Sequence, residues 1–170
     1  MNTASSGIVI RDATVGDAAS MADFMAALSH EALDTVSSRP PPTVDEERDF
    51  VAAATAAGGV VLVAVKETSV VGLLDLWPGQ KPHDRHVCHF GMSVAREHRS
   101  HGIGHRLAAA AIERCRPWPT ACRLELEVVP WNAPALSLYR KLGFVVEATK
   151  RKAIRLRGEP EDLILMALTW

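Results

Sequence analysis

The sequence has few cysteines and a single tyrosine. Among its 170 residues there are three cysteines, an odd number, and none of them form a C-x-x-C pair. This usage argues against a disulfide framework or a zinc knuckle, and it predicts a reducing compartment, which we take to be the cytoplasm. Cys88, Cys115 and Cys122 are expected to be small core residues.

Long apolar runs and an excess of charge of one sign are also missing. The longest apolar stretch, residues 50–65, is shorter than the ~20 residues of a membrane-spanning helix, and Gly58-Gly59 divides it. Residues 1–12 lack a basic segment followed by an apolar one, so no signal peptide is expected. The formal net charge of -1 gives no general attraction to polyanions. We therefore expect neither nucleic acid nor a membrane as a partner.

Hydrophobic periodicity and turn residues predict a definite order of strands and helices. Helices are expected at residues 18–30, with Asp17 as the cap, and at residues 45–57, 102–116 and 134–142. Strands are expected at residues 8–10, 60–65, 70–77, 86–94, 123–129, 145–157 and 163–168. This order mixes hairpins with strand–helix–strand crossovers, which predicts one domain over residues 1–170 with a mixed sheet and helices on its faces.

A glycine-containing turn between a predicted strand and a predicted helix is the sharpest local feature. It reads Arg99-Ser100-His101-Gly102-Ile103-Gly104. Backbone N–H groups at a helix start lack intrahelical partners and carry the positive end of the helix dipole, so they suit a diphosphate. The two glycines let an anion approach the main chain, and Arg99 adds a cation. A tight turn without any ligand is the alternative. The third glycine of a dinucleotide fingerprint is missing, because position 107 is Leu107.

Two blocks of residues resemble the signatures of the GNAT superfamily of N-acetyltransferases. Arg99-x-x-Gly102-x-Gly104 is similar to the R/Q-x-x-G-x-G/A signature, and a second block runs from Asn132-Ala133-Pro134-Ala135 to Leu142-Gly143-Phe144. The blocks stand in the family's order and spacing, and the resemblance covers nearly the whole chain. It implies a mixed α/β fold, with a mostly antiparallel sheet of six to seven strands, helices on both faces and a splayed central pair of strands.

The resemblance also implies acetyl-CoA as the cosubstrate. Main-chain groups of Met92, Ser93 and Val94 would hold the pantetheine arm and the thioester, as in the addition of a strand to an open edge. Asn132 and Ala135 would contact the pantetheine, and Tyr139 would reach the sulfur. Asn132 and Tyr139, seven residues apart, would share a helix face about 10 Å apart along the axis. The diphosphate would lie against Arg99, Ser100, His101, Gly102, Ile103, Gly104 and His105.

Three residues are candidates for catalysis. Tyr139 resembles the family's general acid for the departing thiolate; hydrogen bonding to the sulfur is a milder role, and a core aromatic is the alternative. His89 stands where many family members carry a glutamate, so this position departs from the common pattern. An imidazole can accept a proton from the amine, or His89 is a bystander. Glu125 and Glu127 alternate with apolar residues and point off one strand face; Glu127 is the second candidate base, and a solvated face is the alternative.

The resemblance therefore implies direct acetyl transfer from acetyl-CoA to the primary amine of a small molecule, such as an amino acid, a polyamine-like amine or a drug amine. A protein or peptide N-terminus is the alternative acceptor, and a non-catalytic CoA-binding sensor is the alternative from another class. His98, His101 and His105 lack a further ligand at suitable spacing, so no metal is expected. The identity of the acceptor and a homodimer remain open.

Overall fold

The structure is a computed structural model that describes residues 7–31, 40–156 and 158–170. In these ranges the strands are β1 (Ile8–Asp12), β2 (Val60–Lys66), β3 (Ser69–Pro78), β4 (Val87–Val94), β5 (Arg123–Val128), β6 (Val145–Leu156) and β7 (Glu159–Thr169). The α-helices are α1 (Ala18–His30), α2 (Val44–Ala56), α3 (Ile103–Cys115) and α4 (Ala133–Lys141). This confirms the predicted order of elements. Within the described ranges, no helix combines the length and hydrophobicity needed to cross a bilayer.

The seven strands form one sheet in the order β1-β2-β3-β4-β5-β7-β6. Neighbouring strands are antiparallel, except that β4 and β5 are parallel. The predicted mixed and mostly antiparallel sheet is therefore confirmed. The single parallel pair, β4 and β5, lies near the centre of the sheet. These strands are connected by α3, which crosses one face of the sheet, and parallel strands need a crossover connection of about a dozen residues or more.

Helices cover both faces of the sheet, as predicted. On one face, α1 and α2 pack on β2 and β3 through residues such as Met21, Val51, Val63 and Leu73. On the other face, α3 and α4 pack on β2 to β5 and β7; the central side chains there are Leu62, Leu74, Leu76, Cys88, Phe90, Leu107, Leu124, Leu126, Leu136, Tyr139 and Met166. We call these the α1–α2 face and the α3–α4 face.

Side chains alternate along each strand, so this core assigns the intervening residues to a face. Leu74 and Leu76 of β3 lie on the α3–α4 face, which leaves Asp75 and Trp77 on the α1–α2 face. By the same alternation, Cys88 and Phe90 of β4 lie on the α3–α4 face. The α1–α2 face therefore carries the next residues of β4, His89, Gly91 and Ser93.

The start of α1 differs from the prediction. Asp17 makes no side-chain cap at the N-terminus of α1. Its carboxylate instead accepts hydrogen bonds from Thr14 N–H at 2.8 Å and from the Arg11 guanidinium at 2.7 and 2.8 Å. The bonds from Arg11, followed by those from Thr14, hold the pKa of Asp17 well below its usual range. The residue still fixes the entry to α1, but it does so by joining the preceding turn to β1.

Two smaller predictions are wrong. Cys88 and Cys115 are buried core residues as expected, but Cys122 is exposed, because it lies in the loop just before β5. The turn between the last two strands is also shorter than the gap at residues 158–162 between the predicted strands, since β7 already begins at Glu159. Arg157, predicted as the end of the preceding strand, lies outside the described residues.

Candidate functional site

The parallel strands β4 and β5 form a fork. Their register pairs end at His89 and Glu125, and in this described part of the sheet no pair follows, although β4 continues to Val94 and β5 to Val128. The predicted splayed central pair is therefore confirmed. Beyond the fork, β4 remains paired with β3 as far as Val94, which holds its main chain extended. This stretch contains the residues predicted to hold the thioester: Met92, Ser93 and Val94.

The turn at the open end of the fork is built for close approach to its main chain. Ser100 and Gly102 have positive φ angles of 62° and 79°. A Cβ at Gly102 would meet no atom within 4 Å, so the backbone conformation rather than crowding requires glycine there. Arg106 N–H is bonded to Gly102 O at 3.0 Å, which leaves the earlier N–H groups of α3, at residues 103–105, without intrahelical acceptors.

Gly104 has a different reason to be glycine. A Cβ there would lie 3.3 Å from Leu138 Cδ1 and 3.4 Å from Met92 Cε. The first turn of α3 is therefore packed closely against α4 and against the strand residue predicted to bind the thioester. His101 and His105 are exposed at this turn, and His101 Nδ1 contacts Arg99 O at 2.6 Å. The main chain around Gly102 and Gly104 is thus fixed relative to the fork.

The sequence predicts that Arg99 adds a cation to this turn, but in the structure its guanidinium group is already paired. Its Nε donates to Val94 O at 2.8 Å, and its Nη2 donates to Glu31 Oε2 at 2.6 Å. Glu31 directly follows α1, and its other oxygen accepts from Arg96 N–H at 3.2 Å. The carboxylate offsets the charge of Arg99 because a paired cation attracts a second anion less strongly. Arg99 therefore ties the end of β4 to the end of α1.

Asn132 caps α4 instead of lying within it. Its Oδ1 accepts a hydrogen bond from Ala135 N–H at 3.2 Å, and its φ and ψ of -81° and 66° are not helical. The prediction that Asn132 and Tyr139 share a helix face is wrong in this respect. Asparagine competes for helix-start N–H groups, and Pro134 suits the first turn, so the sequence favours a cap here. The amide nitrogen of Asn132 is not used by the cap.

Tyr139 is 7% exposed and lies in the α3–α4 core. Its ring makes tilted, edge-type contacts with Phe90 and Phe144, with centroids 5.8 Å apart in both cases. Burial raises the pKa of the hydroxyl to about 12, and no hydrogen bond from a described residue contributes to this shift. The core interpretation is therefore correct for the ring, while the hydroxyl stays protonated and available to a ligand.

An imidazole and a carboxylate meet at the fork. His89 Nδ1 lies 3.1 Å from Glu125 Oε1, and the His89 side chain is exposed. Glu125 also accepts from Arg123 Nε at 2.7 Å, and Arg123 in turn pairs with Glu147 of β6. The contact favours the tautomer with its proton on Nδ1, which leaves Nε2 able to accept a proton.

Glu127 is occupied elsewhere. As predicted, Glu125 and Glu127 lie on the same face of β5, because Leu124, Leu126 and Val128 are buried on the other. Glu127 is exposed and its Oε1 accepts from Lys150 Nζ at 2.6 Å, across to the edge strand β6. The arrangement makes Glu127 a weaker candidate base than the imidazole at the fork.

Sequence reasoning missed two further carboxylates, Glu47 and Asp75, near the fork. Glu47 is 6% exposed, and Asp75 lies opposite Gly91 in the register of β3 and β4. Both leave a signal in the sequence. Asp75 is the one charged residue in the apolar run 70–77, and Glu47 precedes the buried Val51 and Ala54 by four and seven residues, which places it on the apolar face of α2.

No group of three or more His, Cys, Asp or Glu side chains in the described part of the chain has an arrangement that could hold a metal ion. What the site offers is an extended slot between two strands, a helix start that suits an anion, a neutral phenol and an imidazole–carboxylate pair. These parts suit the binding of a long anionic thioester and the removal of a proton from an incoming nucleophile.

Comparison with known proteins agrees with this chemistry. The L-amino acid N-acetyltransferase AaaT of Escherichia coli (strain K12) is 38% identical over 106 residues, which cover 62% of this chain and 65% of that protein. The chain therefore spans just under two thirds of this relative's length. A GNAT-family acetyltransferase from Streptococcus pneumoniae superimposes with a TM-score of 0.88 at 25% identity, covering 96% of this chain and 99% of that one.

A third comparison shows the shared fold alone. The acetyltransferase yncA of Salmonella typhimurium, solved with its cofactor acetyl-CoA, has a TM-score of 0.83 at 22% identity and covers 96% of this chain and 94% of its own. In sequence, residues 24–144 match the family described as acetyltransferase (GNAT), and this range includes the fork, the glycine turn and α4. On the strength of that match, the chain belongs to the acetyltransferase (GNAT) family.

Proposed function

We propose that this protein transfers an acetyl group from acetyl-CoA to the primary amine of a small molecule. The observation that carries the proposal is the fork between β4 and β5, which opens beyond His89 and Glu125 toward the first turn of α3. An extended pantetheine chain matches the space between two diverging strands, and a diphosphate matches free N–H groups at a helix start.

The donor would be held mainly by the main chain. Met92, Ser93 and Val94 would bind the acyl-pantetheine end, and the turn from Arg99 to His105 would bind the diphosphate. Asn132 would offer its free amide nitrogen to the pantetheine beside Ala135. Main-chain recognition allows side chains to vary among relatives that bind one cofactor, because each residue offers the same N–H and C=O groups. Arg99 would act through its hold on Val94 and Glu31 rather than as a cation on the diphosphate.

The acceptor must lose a proton before it can react, because an ammonium nitrogen has no lone pair. We assign this step to His89 Nε2, with Glu125 holding the proton on Nδ1. The neutral nitrogen attacks the thioester carbonyl carbon, the C–S bond breaks, and an amide and the CoA thiolate form. The nitrogen loses its second proton as the amide forms, and the thiolate takes up one proton to give free CoA.

Tyr139 would assist the departing sulfur by hydrogen bonding. Its pKa of about 12 lies above the ~8.5 of an ordinary thiol, so complete transfer of its proton to the thiolate would be uphill by about 5 kcal/mol. Donating a hydrogen bond to the developing thiolate avoids that cost and stabilises the charge as it forms. The milder of the two roles predicted for Tyr139 is therefore the one we propose.

The acceptor class rests on one relative. The E. coli protein, which is 38% identical over the matched region, acts on L-amino acids. We therefore propose free amino acids and similar small primary amines as acceptors. The two buried thiols, Cys88 and Cys115, fit a reducing compartment, and we propose the cytoplasm. A homodimer stays a prediction, to be checked by light scattering of the purified protein.

The proposed function is tested by turnover. The purified chain is mixed with acetyl-CoA and, in separate reactions, each L-amino acid, its amide and putrescine, while free thiol is followed. We expect thiol release that depends on the amine, with the acetylated amine identified by mass spectrometry. Tight CoA binding with no amine raising thiol release above hydrolysis would contradict the proposal and favour a CoA-binding module.

A further inference from the structure

Glu47 is a buried carboxylate without a described partner. It lies on α2, is 6% exposed, and its Oε2 is enclosed and forms no hydrogen bond within the described ranges. A buried charged oxygen is normally hydrogen-bonded or paired, because removal from water otherwise costs free energy. An enclosed carboxylate oxygen without a partner among the described residues is therefore a candidate contact for a bound ligand.

A second carboxylate lies on the same face of the sheet. Trp77 Nε1 donates to Asp75 Oδ2 at 2.8 Å, which orients the Asp75 carboxylate. Its other oxygen lies over β4, because a Cβ on Gly91 would come within 3.1 Å of Asp75 Oδ1. Glycine at position 91 thus leaves room for this carboxylate directly above the strand. The residue after Gly91 is Met92, the first of the residues proposed to hold the thioester.

The two carboxylates influence each other. Burial raises the pKa of Glu47, and the negative charge of Asp75 raises it further. Two like charges that interact on one face of the sheet repel each other, and a cation placed between them would offset that repulsion. An ammonium group is the cation that the proposed reaction brings to this face of the sheet.

We propose that Glu47 and Asp75 form the subsite that binds the ammonium group of the acceptor amine. This inference rests on the proposed function and narrows its substrate class to acceptors that arrive as cations. Uncharged acceptors such as alcohols would be bound poorly, because they carry no positive charge to offset the two carboxylates.

The position of this subsite would let the bound amine move from Asp75 to His89, the proposed base. Asp75 is opposite Gly91 and Trp77 is opposite His89, so Asp75 and His89 are diagonal neighbours on the α1–α2 face. Diagonal neighbours across antiparallel strands lie about 7–8 Å apart, a span that one amine can bridge by a small shift. The ammonium would therefore be held beside the imidazole that we assign to its deprotonation.

A matched pair of probes tests the subsite without turnover. L-Leucinamide and isocaproamide differ only in the amino group, and CoA without its acetyl group fills the donor site. Calorimetric titration of the CoA-loaded protein should show that L-leucinamide binds and isocaproamide does not. Glu47→Gln and Asp75→Asn should each weaken L-leucinamide binding by about 10- to 100-fold, the loss expected for a hydrogen bond to a charged group. The control is Asp49→Asn, an exposed carboxylate on the same helix, which should change nothing.

A second measurement distinguishes the proposed subsite from a merely structural role of Glu47. Because Glu47 is an unfavourable charge in the empty protein, Glu47→Gln should raise the unfolding temperature, whereas loss of a structural carboxylate would lower it. Amine binding equal to wild type in both variants, failure of L-leucinamide to bind the wild type, or a lowered unfolding temperature would overturn the subsite. Turnover of acetyl-CoA is measured separately: charge-dependent binding without turnover would refute the proposed function alone, and turnover with unchanged KM in both variants would refute the subsite alone.

Discussion

At the scale of single residues, the phenol of Tyr139 gives a pH-dependent contribution to stability. The folded protein raises its pKa from 10 to about 12, so the fold holds this proton more tightly than the unfolded chain does. The contribution is fully present below pH ~10 and is lost as pH rises through the folded value. The free energy of unfolding of Tyr139→Phe, measured by urea unfolding, should therefore rise relative to that of the wild type as the pH increases from ~10 to about 12. The expected gain is up to about 3 kcal/mol. A difference in the free energy of unfolding between the two proteins that does not change with pH would contradict the burial of the hydroxyl.

The same substitution separates two roles of Tyr139 in the reaction. The ring supports the core beside Phe90, while the hydroxyl is proposed to stabilise the thiolate. Tyr139→Phe keeps the ring, so we expect kcat to fall by about 10-fold or more with little change in CoA affinity. Steady-state kinetics and calorimetry with CoA measure the two quantities. Equal losses in both would remove the proposed role of the hydroxyl.

Glu125 is expected to act through His89. Glu125→Gln keeps an oxygen near Nδ1 but replaces the carboxylate with a weaker, neutral hydrogen-bond acceptor. We expect kcat to fall by about 10- to 100-fold with little change in CoA affinity, because the imidazole is then held less firmly in the tautomer that leaves Nε2 able to accept a proton. The matched control is Glu127→Gln, on the same face of β5 but paired with Lys150. If Glu127→Gln alone lowered kcat, the base would be Glu127 and not His89.

At the scale of elements, the start of α3 has a matched counterpart at the end of α2. Gly58 and Gly102 both have left-handed φ angles, 75° and 79°, and a Cβ would meet no atom within 4 Å at either position. Alanine should cost about 1–2 kcal/mol of stability at both, by chemical denaturation, because only the backbone strain differs from glycine. Only Gly102→Ala should weaken CoA binding, since only that turn is proposed to hold the diphosphate. Unchanged CoA affinity in Gly102→Ala would remove the turn from the binding site.

Elements were predictable from the sequence because their signals are local. Period-two strands, apolar helix faces and glycine or proline stops fix the seven strands and four helices in order within the described ranges. The wrong predictions lie at helix N-termini, where a polar side chain either caps the helix or binds another group. The sequence predicts Asn132 on a helix face although it caps α4, and it predicts Asp17 as a cap although Arg11 and Thr14 bind it.

At the scale of the whole molecule, the contacts that sequence reasoning missed join distant segments. His89 meets Glu125 only because parallel strands pair across the α3 crossover, and Arg99 meets Glu31 across 68 positions of sequence. Such contacts depend on register and packing, which a single sequence does not encode in any local pattern. The resemblance supplied the residues proposed to bind the cofactor, but it could not show that the Arg99 guanidinium is already paired.

The Arg99 contacts connect α1 to the end of β4 and the turn before α3. Substitution of Arg99 tests whether this connection or the positive charge supports cofactor binding. Arg99→Lys keeps the charge, but a single ammonium cannot donate in the same geometry to both Val94 O and Glu31. If Arg99 positions the turn, Arg99→Lys and Arg99→Gln should weaken CoA binding to a similar extent in calorimetry. Both should also lower the free energy of unfolding by about 1–3 kcal/mol, because each loses a hydrogen bond to a charged group. Wild-type affinity in Arg99→Lys with a loss in Arg99→Gln would instead assign the side chain to the diphosphate, and the connection to Glu31 would then break when the cofactor binds.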